Sequence, residues 1–473
     1  MLLLLLLGLA YDASDWSYFP SMDEVRCIAP TTRRVYVAVP RGVYILDRSG
    51  LEVERTITAA DGLVGEVRLC AHNRARGDLI IVTGNDFGHI VWSWTRIPER
   101  ATRLSPPFQW VRSLGIADDG AYFDTEQGLF RKDLLLDVFE KVNGLPQDVE
   151  WYGARDNSSV RDHPVLVPWF VTDEQLVQHD MSLVREDPRS SRLYVAAVGY
   201  GLLAYDERTG FVEDHVRLGP TGYARFRAGR LGELLWFTSG EHAITVNRNG
   251  RWRYYRTQQG DITGSDRRLL FEAVADLQRR EGATALLADS GPALVGTGDG
   301  LYRVDNSGET KLLLDLPVPV NGIARRDGSV LIGTDAGLFA WTGDSITELD
   351  DPFGRTVFGV YAVARTESGE TWFGTIGGLL RLDADGEWQH IIPPGFDLSG
   401  PASALAAAGD KVFFGDEGGI TVYDAADSGY TRIDENAGLV MDDIEGLLAG
   451  PRYLWIVGDE VIARLDHVAL LGE

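Results

Sequence analysis

Acidic side chains recur at one place in a repeated sequence pattern, in short turns between two apolar runs. The carboxylates at these turns are Glu126, Glu241, Asp299, Asp335, Asp416, Glu417 and Asp459. If equivalent turns lie on one rim of the fold, their charges together create a negative potential that attracts a cation or a basic protein surface. The alternative is a solvated acidic rim on a protein whose net charge is −25. Arg41, Trp151, Tyr200 and His242 complete the set of residues that the sequence places in this candidate binding site.

Catalytic and metal-binding patterns are weak in comparison. The eight histidines are scattered, and none forms a His-x-x-x-His pair. Ser239 and His242 are too close in sequence for the geometry of a catalytic triad, and no Gly-x-Ser-x-Gly motif exists. The Asp-Gly pairs do not continue into the alternating oxygen ligands of a calcium loop, and turn formation explains them. The sequence therefore predicts no catalytic residues, no metal and no cofactor.

Four segments that carry these turns are nearly the same sequence. They begin at Leu294, Leu331, Trp372 and Phe413, and their shared glycines, Gly296, Gly333, Gly374 and Gly415, are 37, 41 and 41 residues apart. A period of about forty residues made of short strands is typical of β-propeller blades. Each copy predicts a β-hairpin whose turn contains glycine, and the glycine in the first run predicts a crowded backbone.

Weaker copies extend the pattern over most of the chain. They begin near Tyr36, Ile80, Tyr122, Tyr194, Trp236 and Trp455. The sequence thus predicts an all-β propeller of about ten four-stranded blades. This number exceeds the four to eight blades that are usual, so one large ring and two smaller propellers both stay open. The last copy lacks an outer strand, whereas the segment at Trp16 looks like one, so we expect the N-terminal strand to complete the last blade.

Two stretches interrupt the propeller region, which we assign to residues 11–473. Residues 143–190 carry little strand pattern for their length, and residues 258–292 include a polar helical stretch. Both lie between the outer strand of one blade and the inner strand of the next. They are either blade-to-blade loops or crossings between two rings.

The N-terminus predicts export. Residues 1–10 contain six consecutive leucines followed by Gly8 and Ala10, as in a secretory signal peptide, although a basic start is missing. We expect the protein in the periplasm, at the cell surface or outside the cell, and no other segment is long enough to span a membrane. The net charge of −25 argues against nucleic acid as a partner. Cys27 and Cys70 either form a disulfide between neighbouring inner strands or remain buried thiols, and we favour thiols.

The motif from Trp372 to Asp383 resembles the repeat of two-component regulator propellers, which are bacterial extracytoplasmic sensor modules. The opening from Trp16 to Asp47 is similar to the propeller subunit of the type IX secretion system, a non-enzymatic surface component. The resemblance implies a propeller scaffold that binds a ligand or protein. It says little about the binding residues, because the matching positions are structural.

Two hypotheses about function follow. The first is a non-enzymatic module that binds a protein or a small ligand on one propeller face in a sensory or secretion-associated envelope assembly. If the acidic rim forms the binding site, this partner is cationic. The second is a propeller enzyme that acts on glycans as a lyase or hydrolase at the central axis. An enzyme would need paired carboxylates or a His/Tyr/Arg set that converges on one face.

Overall fold

A computed structural model describes most of the chain from Asp15 to Leu471. The residues it describes are 15–85, 87–96, 99–132, 138–156, 158–173, 176–220, 226–231, 234–239, 243–248, 251–256, 273–274, 277, 284–287, 292–350, 353–354, 359–393, 401–416, 418–425, 428–434, 437–439, 441, 444–458 and 461–471. The predicted signal at residues 1–10 lies outside them.

The chain divides into two compact units, and each is built from antiparallel sheets. The N-terminal unit is Tyr18–Pro220, and the C-terminal unit combines Met1–Ser17 with Thr221–Glu473. The predicted all-β class is confirmed, with successive strands of each sheet joined by short turns.

Four sheets make up the described part of the N-terminal unit, and most of their strands are consecutive in sequence. Their strands are β2 (Cys27–Pro30), β3 (Arg34–Val39), β4 (Gly42–Asp47) and β5 (Val53–Ile57); β6 (Glu66–Asn73), β7 (Asp78–Asn85), β8 (Gly88–Arg96) and β9 (Glu99–Arg103); β10 (Val111–Ala117), β11 (Gly120–Thr125), β12 (Gly128–Lys132), β13 (Phe139–Lys141) and β14 (Glu150–Gly153); β15 (Phe170–Thr172), β16 (Gln178–Glu186), β17 (Arg192–Ala197), β18 (Gly201–Asp206) and β19 (Val212–Val216).

The inner strands of these sheets pack side by side. β2 lies against β6, β6 against β10 and β14, and β16 against β2. Arg185 of β16 also donates a 2.7 Å hydrogen bond to the carbonyl oxygen of Trp151 in β14. The sequence of sheets therefore closes on itself within the N-terminal unit, as propeller blades do. Residues 143–190, which show little strand pattern in the sequence, supply β14, β15 and β16.

Six sheets make up the described part of the C-terminal unit, each with four strands. Five of them are β20 (Phe226–Leu231), β21 (Leu234–Ser239), β22 (Ala243–Arg248) and β23 (Arg251–Arg256); β24 (Ala285–Leu287), β25 (Ala293–Gly296), β26 (Gly300–Val304) and β27 (Thr310–Asp315); β28 (Val320–Arg326), β29 (Ser329–Thr334), β30 (Gly337–Trp341) and β31 (Ile346–Leu349); β32 (Val360–Arg365), β33 (Thr371–Thr375), β34 (Gly378–Leu382) and β35 (Trp388–Ile391); β36 (Ala404–Ala408), β37 (Lys411–Asp416), β38 (Gly419–Asp424) and β39 (Gly429–Ile433). The sixth contains β40 (Gly446–Ala449), β41 (Tyr453–Gly458) and β42 (Val461–Asp466), and the helix His467–Leu471 follows it.

The N-terminal strand completes this sixth sheet, as the sequence predicts. β1 (Trp16–Pro20) pairs with β42, so the sheet order is β1, β42, β41, β40. The Trp16 side chain is buried, and its Nε1 donates a 2.9 Å hydrogen bond to the carbonyl oxygen of Ala437. The inner strands β20, β24, β28, β32, β36 and β40 pack in order, and β40 returns to β20. The borrowed strand thus covers an edge that would otherwise be open.

Crowding explains the glycine in the repeated motif. A Cβ atom at Gly374 would overlap the carbonyl oxygen of Ala402, which precedes the next inner strand. At Gly333 and Gly415 it would meet the side chains of Val360 and Ile444. The predicted close approach of backbone between blades is therefore confirmed.

Three further expectations concern the sulfur atoms, membrane segments and the second interruption. Cys27 and Cys70 are buried free thiols, as favoured, and the Cys27 Sγ lies 3.0 Å from the Cys70 carbonyl oxygen. In the described part of the chain, none of the helices has the length and apolar character needed to cross a bilayer. Most of residues 258–292 lie outside the described residues, although Ala273, Val274 and Leu277 are helical.

Candidate functional site

The predicted binding residues lie mainly in the turn that joins the second and third strands of a blade, here called the second–third turn. In the N-terminal unit, Arg41 lies between β3 and β4, Glu126 between β11 and β12, and Tyr200 between β17 and β18. In the C-terminal unit, Asp299 and Asp335 occupy the turns after β25 and β29, and Asp416 ends β37. The predictions at Glu241, His242, Glu417 and Asp459 lie outside the described residues.

Two acids of the C-terminal unit are held by neutral donors close by. Asp299 accepts hydrogen bonds from the Thr297 hydroxyl at 2.6 Å and from the Tyr302 hydroxyl at 3.2 Å. Asp335 accepts one from the Asn321 amide at 2.7 Å. All of these donors are neutral, so both acids remain compatible with an acidic rim.

Asp416 departs from the expectation of an exposed turn charge. Its side chain is only 4% exposed, and both of its carboxylate oxygens accept hydrogen bonds from the Arg432 guanidinium. A bidentate pair of this kind fixes geometry and neutralises the charge. Asp416 therefore connects its turn to strand β39 through an ion pair and adds little to the negative potential expected of an acidic rim.

Glu126, in the turn between β11 and β12, holds the connection between β9 and β10. Its carboxylate accepts hydrogen bonds from the backbone N–H groups of Gln109 and Trp110, each at 3.0 Å. Partial burial would raise the pKa of Glu126, but these backbone donors outweigh it and hold the pKa below its usual range. His89 Nδ1 accepts the N–H of Val111 at 3.0 Å beside them. The connection between β9 and β10 is thereby fixed by side chains.

Tyr200 lies at the centre of a stack of three rings. His179 of β16 stacks on one face, with ring centroids 4.7 Å apart, and His215 of β19 stacks on the other at 4.1 Å. His179 is buried and His215 is exposed, so His215 forms the outer layer. We call this group, together with Asp173, Arg217 and Asp23, the Tyr200 cluster.

His179, the buried histidine of the stack, has a hydrogen-bond partner at each ring nitrogen. Its Nδ1 lies 2.9 Å from the Val198 carbonyl oxygen, and its Nε2 lies 3.0 Å from a carboxylate oxygen of Asp173. Both ring nitrogens of His179 therefore have a hydrogen-bond partner. The side chains of His179 and Asp173 are 3% and 11% exposed, which makes this pair a rigid base for the stack.

An ion pair between Arg217 and Asp23 lies beside Tyr200. The Arg217 guanidinium is 5.9 Å from the Tyr200 ring centroid, within the range of a cation–π contact, and 3.4 Å from the Asp23 carboxylate. The Asp23 carbonyl oxygen also accepts the N–H of Gly199 at 2.8 Å. The Arg217 guanidinium therefore has an anionic partner.

The outer histidine holds the turn that carries Tyr200. His215 Nε2 donates a 2.7 Å hydrogen bond to the Tyr200 carbonyl oxygen. His390 of β35 makes the equivalent bond, 3.0 Å, to the carbonyl oxygen of Gly377 in the C-terminal unit. His215 pairs with Leu203 and His390 with Leu380, in each case the third residue of the third strand. In a third blade, Arg432 lies at the register position of these two histidines, opposite Thr421. Its guanidinium donates a hydrogen bond to Asp416.

The remaining predicted residues lie apart from this cluster. Arg41 is exposed in its turn. Trp151 lies within β14, opposite Gly115, with the Arg155 guanidinium 5.1 Å from its ring centroid. It therefore lies in a strand rather than in a second–third turn.

Sequence reasoning identified Tyr200 but missed the residues around it. His179 and His215 were counted among the scattered histidines because they belong to no sequence motif, and Arg217 was not singled out. The available signal was positional: His215 and His390 follow the third strand at the same register, which becomes visible only once the hairpins are aligned with their outer strands.

No protein-family model matches the chain, and no curated protein matches it. Similar solved structures include PorZ, an essential bacterial surface component of the type-IX secretion system of Porphyromonas gingivalis, at 12% identity over 95% of this chain and 87% of that chain, with a TM-score of 0.45.

Two other structures show the range of proteins with this likeness. The extracellular domain of a hybrid two-component system from B. thetaiotaomicron is 14% identical over 93% of this chain and 61% of that chain, with a TM-score of 0.39. A gluconolactonase from Xanthomonas campestris is 11% identical over 53% of this chain and 89% of that chain, with a TM-score of 0.40. Both kinds of protein that the repeat resembles are thus among the similar structures. At these identities and TM-scores the likeness carries no argument about activity or partners.

Proposed function

We propose that this chain is an exported β-propeller protein that acts by binding, as a module of a sensory or secretion-associated assembly in the cell envelope, and that it binds through the Tyr200 cluster. The observation that carries the proposal is the stack of His179, Tyr200 and His215, whose outermost ring is exposed.

The stack has the properties of a binding platform. Its rings are ordered before any ligand arrives, because His179 is hydrogen-bonded on both sides and His215 is tied to the Tyr200 backbone. A ligand therefore does not have to immobilise these side chains, which lowers the entropic cost of binding. Aromatic surface with a polar edge is also typical of interaction sites.

The chemistry of the platform defines its ligand. The Arg217 guanidinium at its base is paired with Asp23, and His179 is hydrogen-bonded to Asp173. A flat group that stacks on His215 fits this surface, such as an aromatic or proline side chain of a protein segment or the ring of a small ligand. The acidic turns at Asp299 and Asp335 provide a separate candidate surface for a cationic partner.

Affinity capture from the envelope fraction of the source organism tests this proposal. Immobilised wild-type protein should retain a specific partner, and His215→Ala and Tyr200→Ala should lose it. His390→Ala is the matched control, because it removes the equivalent hydrogen bond without touching the stack. Equal recovery by wild type and Tyr200→Ala contradicts a role for the Tyr200 cluster.

A second candidate function rests on the same residues. His179, Tyr200 and Arg217 form the His/Tyr/Arg set that a propeller enzyme acting on glycans would need, and Asp173 orients the histidine. Such a lyase would convert an acidic glycan into an unsaturated product, which is measured by its ultraviolet absorbance. Turnover that is lost in Tyr200→Phe favours the enzyme, whereas binding without turnover favours the module.

A further inference from the structure

Three side chains with metal-binding chemistry meet at the far end of the sheet that carries Tyr200. His163, Glu186 and Glu207 each offer one ligand atom, and these three atoms all lie within 4.8 Å of one another. Glu186 ends β16 and Glu207 follows β18, whereas Tyr200 lies in the turn at the opposite end of β17 and β18. The group is therefore separate from the Tyr200 cluster.

Packing fixes the position of His163. The residue lies between two short 3-10 turns, Val160–Asp162 and Pro164–Leu166, and Ser159 caps the first of them. Val160 and Leu166 are 8% and 1% exposed, and both insert into the core formed by β16, β17 and β18. His163 is thus anchored on each side by a buried apolar residue.

The two glutamates are positioned by the sheet itself. Glu186 pairs with Leu193 in the ladder between β16 and β17. The backbone N–H of Glu207 donates a 2.7 Å hydrogen bond to the Ser191 carbonyl oxygen. A Cβ atom at Gly210 would lie 3.5 Å from the Val165 carbonyl oxygen, so the turn that carries Glu207 touches the segment that carries His163.

The two carboxylates lie close together without a cationic neighbour. In the part of the chain that the structure describes, neither the Glu186 nor the Glu207 carboxylate has a cationic side chain as an ion-pair partner. A bound cation would pair with both carboxylates.

We propose that His163, Glu186 and Glu207 bind one divalent transition-metal ion of the zinc class. An imidazole nitrogen with two carboxylate oxygens suits zinc and its neighbours, whereas calcium and magnesium prefer oxygen ligands alone. Three protein ligands leave coordination positions open to water or to a further ligand. The ion joins the segment around His163 to the end of β16 and to the turn after β18, and so stabilises the N-terminal unit.

Isothermal titration of the untagged, chelator-treated protein with zinc chloride tests the site. Wild type should bind one ion per chain, and His163→Ala, Glu186→Gln and Glu207→Gln should each lose at least about tenfold in affinity. Zinc should raise the melting temperature of wild type but not of His163→Ala. His390→Ala, in the C-terminal unit, should bind zinc as wild type does.

Several results overturn the proposal. They are the absence of saturable zinc binding, the same affinity in wild type and all three site variants, and an equal rise in melting temperature with calcium. The glutamine variants also control for folding, because they keep the size of the side chains and should leave the metal-free protein as stable as wild type.

Discussion

The turn at Tyr200 and the turn at Gly377 are held by the same kind of hydrogen bond but carry different residues. In both, a histidine of the fourth strand donates to the turn's carbonyl oxygen, at 2.7 Å from His215 and at 3.0 Å from His390. In the N-terminal unit the held residue is a tyrosine stacked between two rings. In the C-terminal unit it is a glycine, and Phe353 lies 5.8 Å from the histidine ring.

The comparison separates structure from function. The shared hydrogen bond stabilises a turn, whereas the side chains placed on the turn decide whether it can bind anything. The turn at Asp416 extends the argument, because Arg432 occupies the same register and forms an ion pair there. We therefore expect substitutions in the C-terminal unit to change stability and those in the Tyr200 cluster to change binding.

The largest expected loss of stability comes from Trp16→Ala. The C-terminal unit takes an edge strand from the start of the chain, and Trp16 is buried there with its Nε1 bonded to Ala437. Truncation of a buried tryptophan should lower the free energy of unfolding by about 3–5 kcal/mol. Urea unfolding measures this, and a loss below about 1 kcal/mol would show that the strand does not hold the sheet.

Asp416→Asn should be the next most destabilising change. It breaks a bidentate pair whose aspartate is nearly buried and leaves the Arg432 charge without its partner. Because Arg432 is 29% exposed, we expect a loss of about 2–3 kcal/mol, below the full cost for a buried pair. Asp335→Asn is the control and should cost less than about 0.5 kcal/mol. Equal losses of stability in urea unfolding would show that the ion pair of Asp416 contributes no more than the hydrogen bond of Asp335.

His215→Ala and His390→Ala test the comparison at its centre. Each variant loses one hydrogen bond to a turn carbonyl, so both should lose about 1 kcal/mol of stability. Only His215→Ala should weaken binding of the captured partner, by about tenfold, through loss of the outer ring. Titration calorimetry measures the affinity of both variants for that partner. Equal affinities would show that the ring stack does not take part in binding.

The smallest effect is expected at Glu126. Its pKa is lowered in the folded protein, so its charge contributes stability at neutral pH that is lost as the pH falls through that lowered pKa. Glu126→Gln should therefore be less stable than wild type by about 0.5 kcal/mol at pH 7, a small value because the group is exposed. Unfolding curves of the two proteins should converge in acid, and a constant difference would assign the effect to something other than the charge.

Much of the fold could be predicted because its signals are local. The glycine at position 374 and its equivalents repeat at the blade period, and the backbone beside Gly374 leaves no room for a Cβ atom. The closing strand could be predicted because an outer strand was missing at one end of the pattern and present at the other. β14 to β16 were not recognised, since the segment that contains them lacks the repeat.

The binding residues were harder to predict, for a geometric reason. Tyr200 and Asp416 could be placed because turns of a repeat are equivalent by sequence alone. The partners of these residues, His215 and Arg432, lie in fourth strands. The ladder that places His215 also contains a register shift between Ala204 and Tyr205. The metal group is harder still, because His163, Glu186 and Glu207 come from three segments that only the folded sheet brings together.

Hydrogen exchange of the protein with and without its captured partner tests the binding claim most directly. The account predicts slower exchange on binding for the backbone amides of residues 198–201 and 215–217, which surround the Tyr200 stack. Exchange at residues 334–337 and 415–419 of the C-terminal unit should not change. Protection of those acidic turns, with none at Tyr200, would contradict the account and place binding on the acidic surface instead.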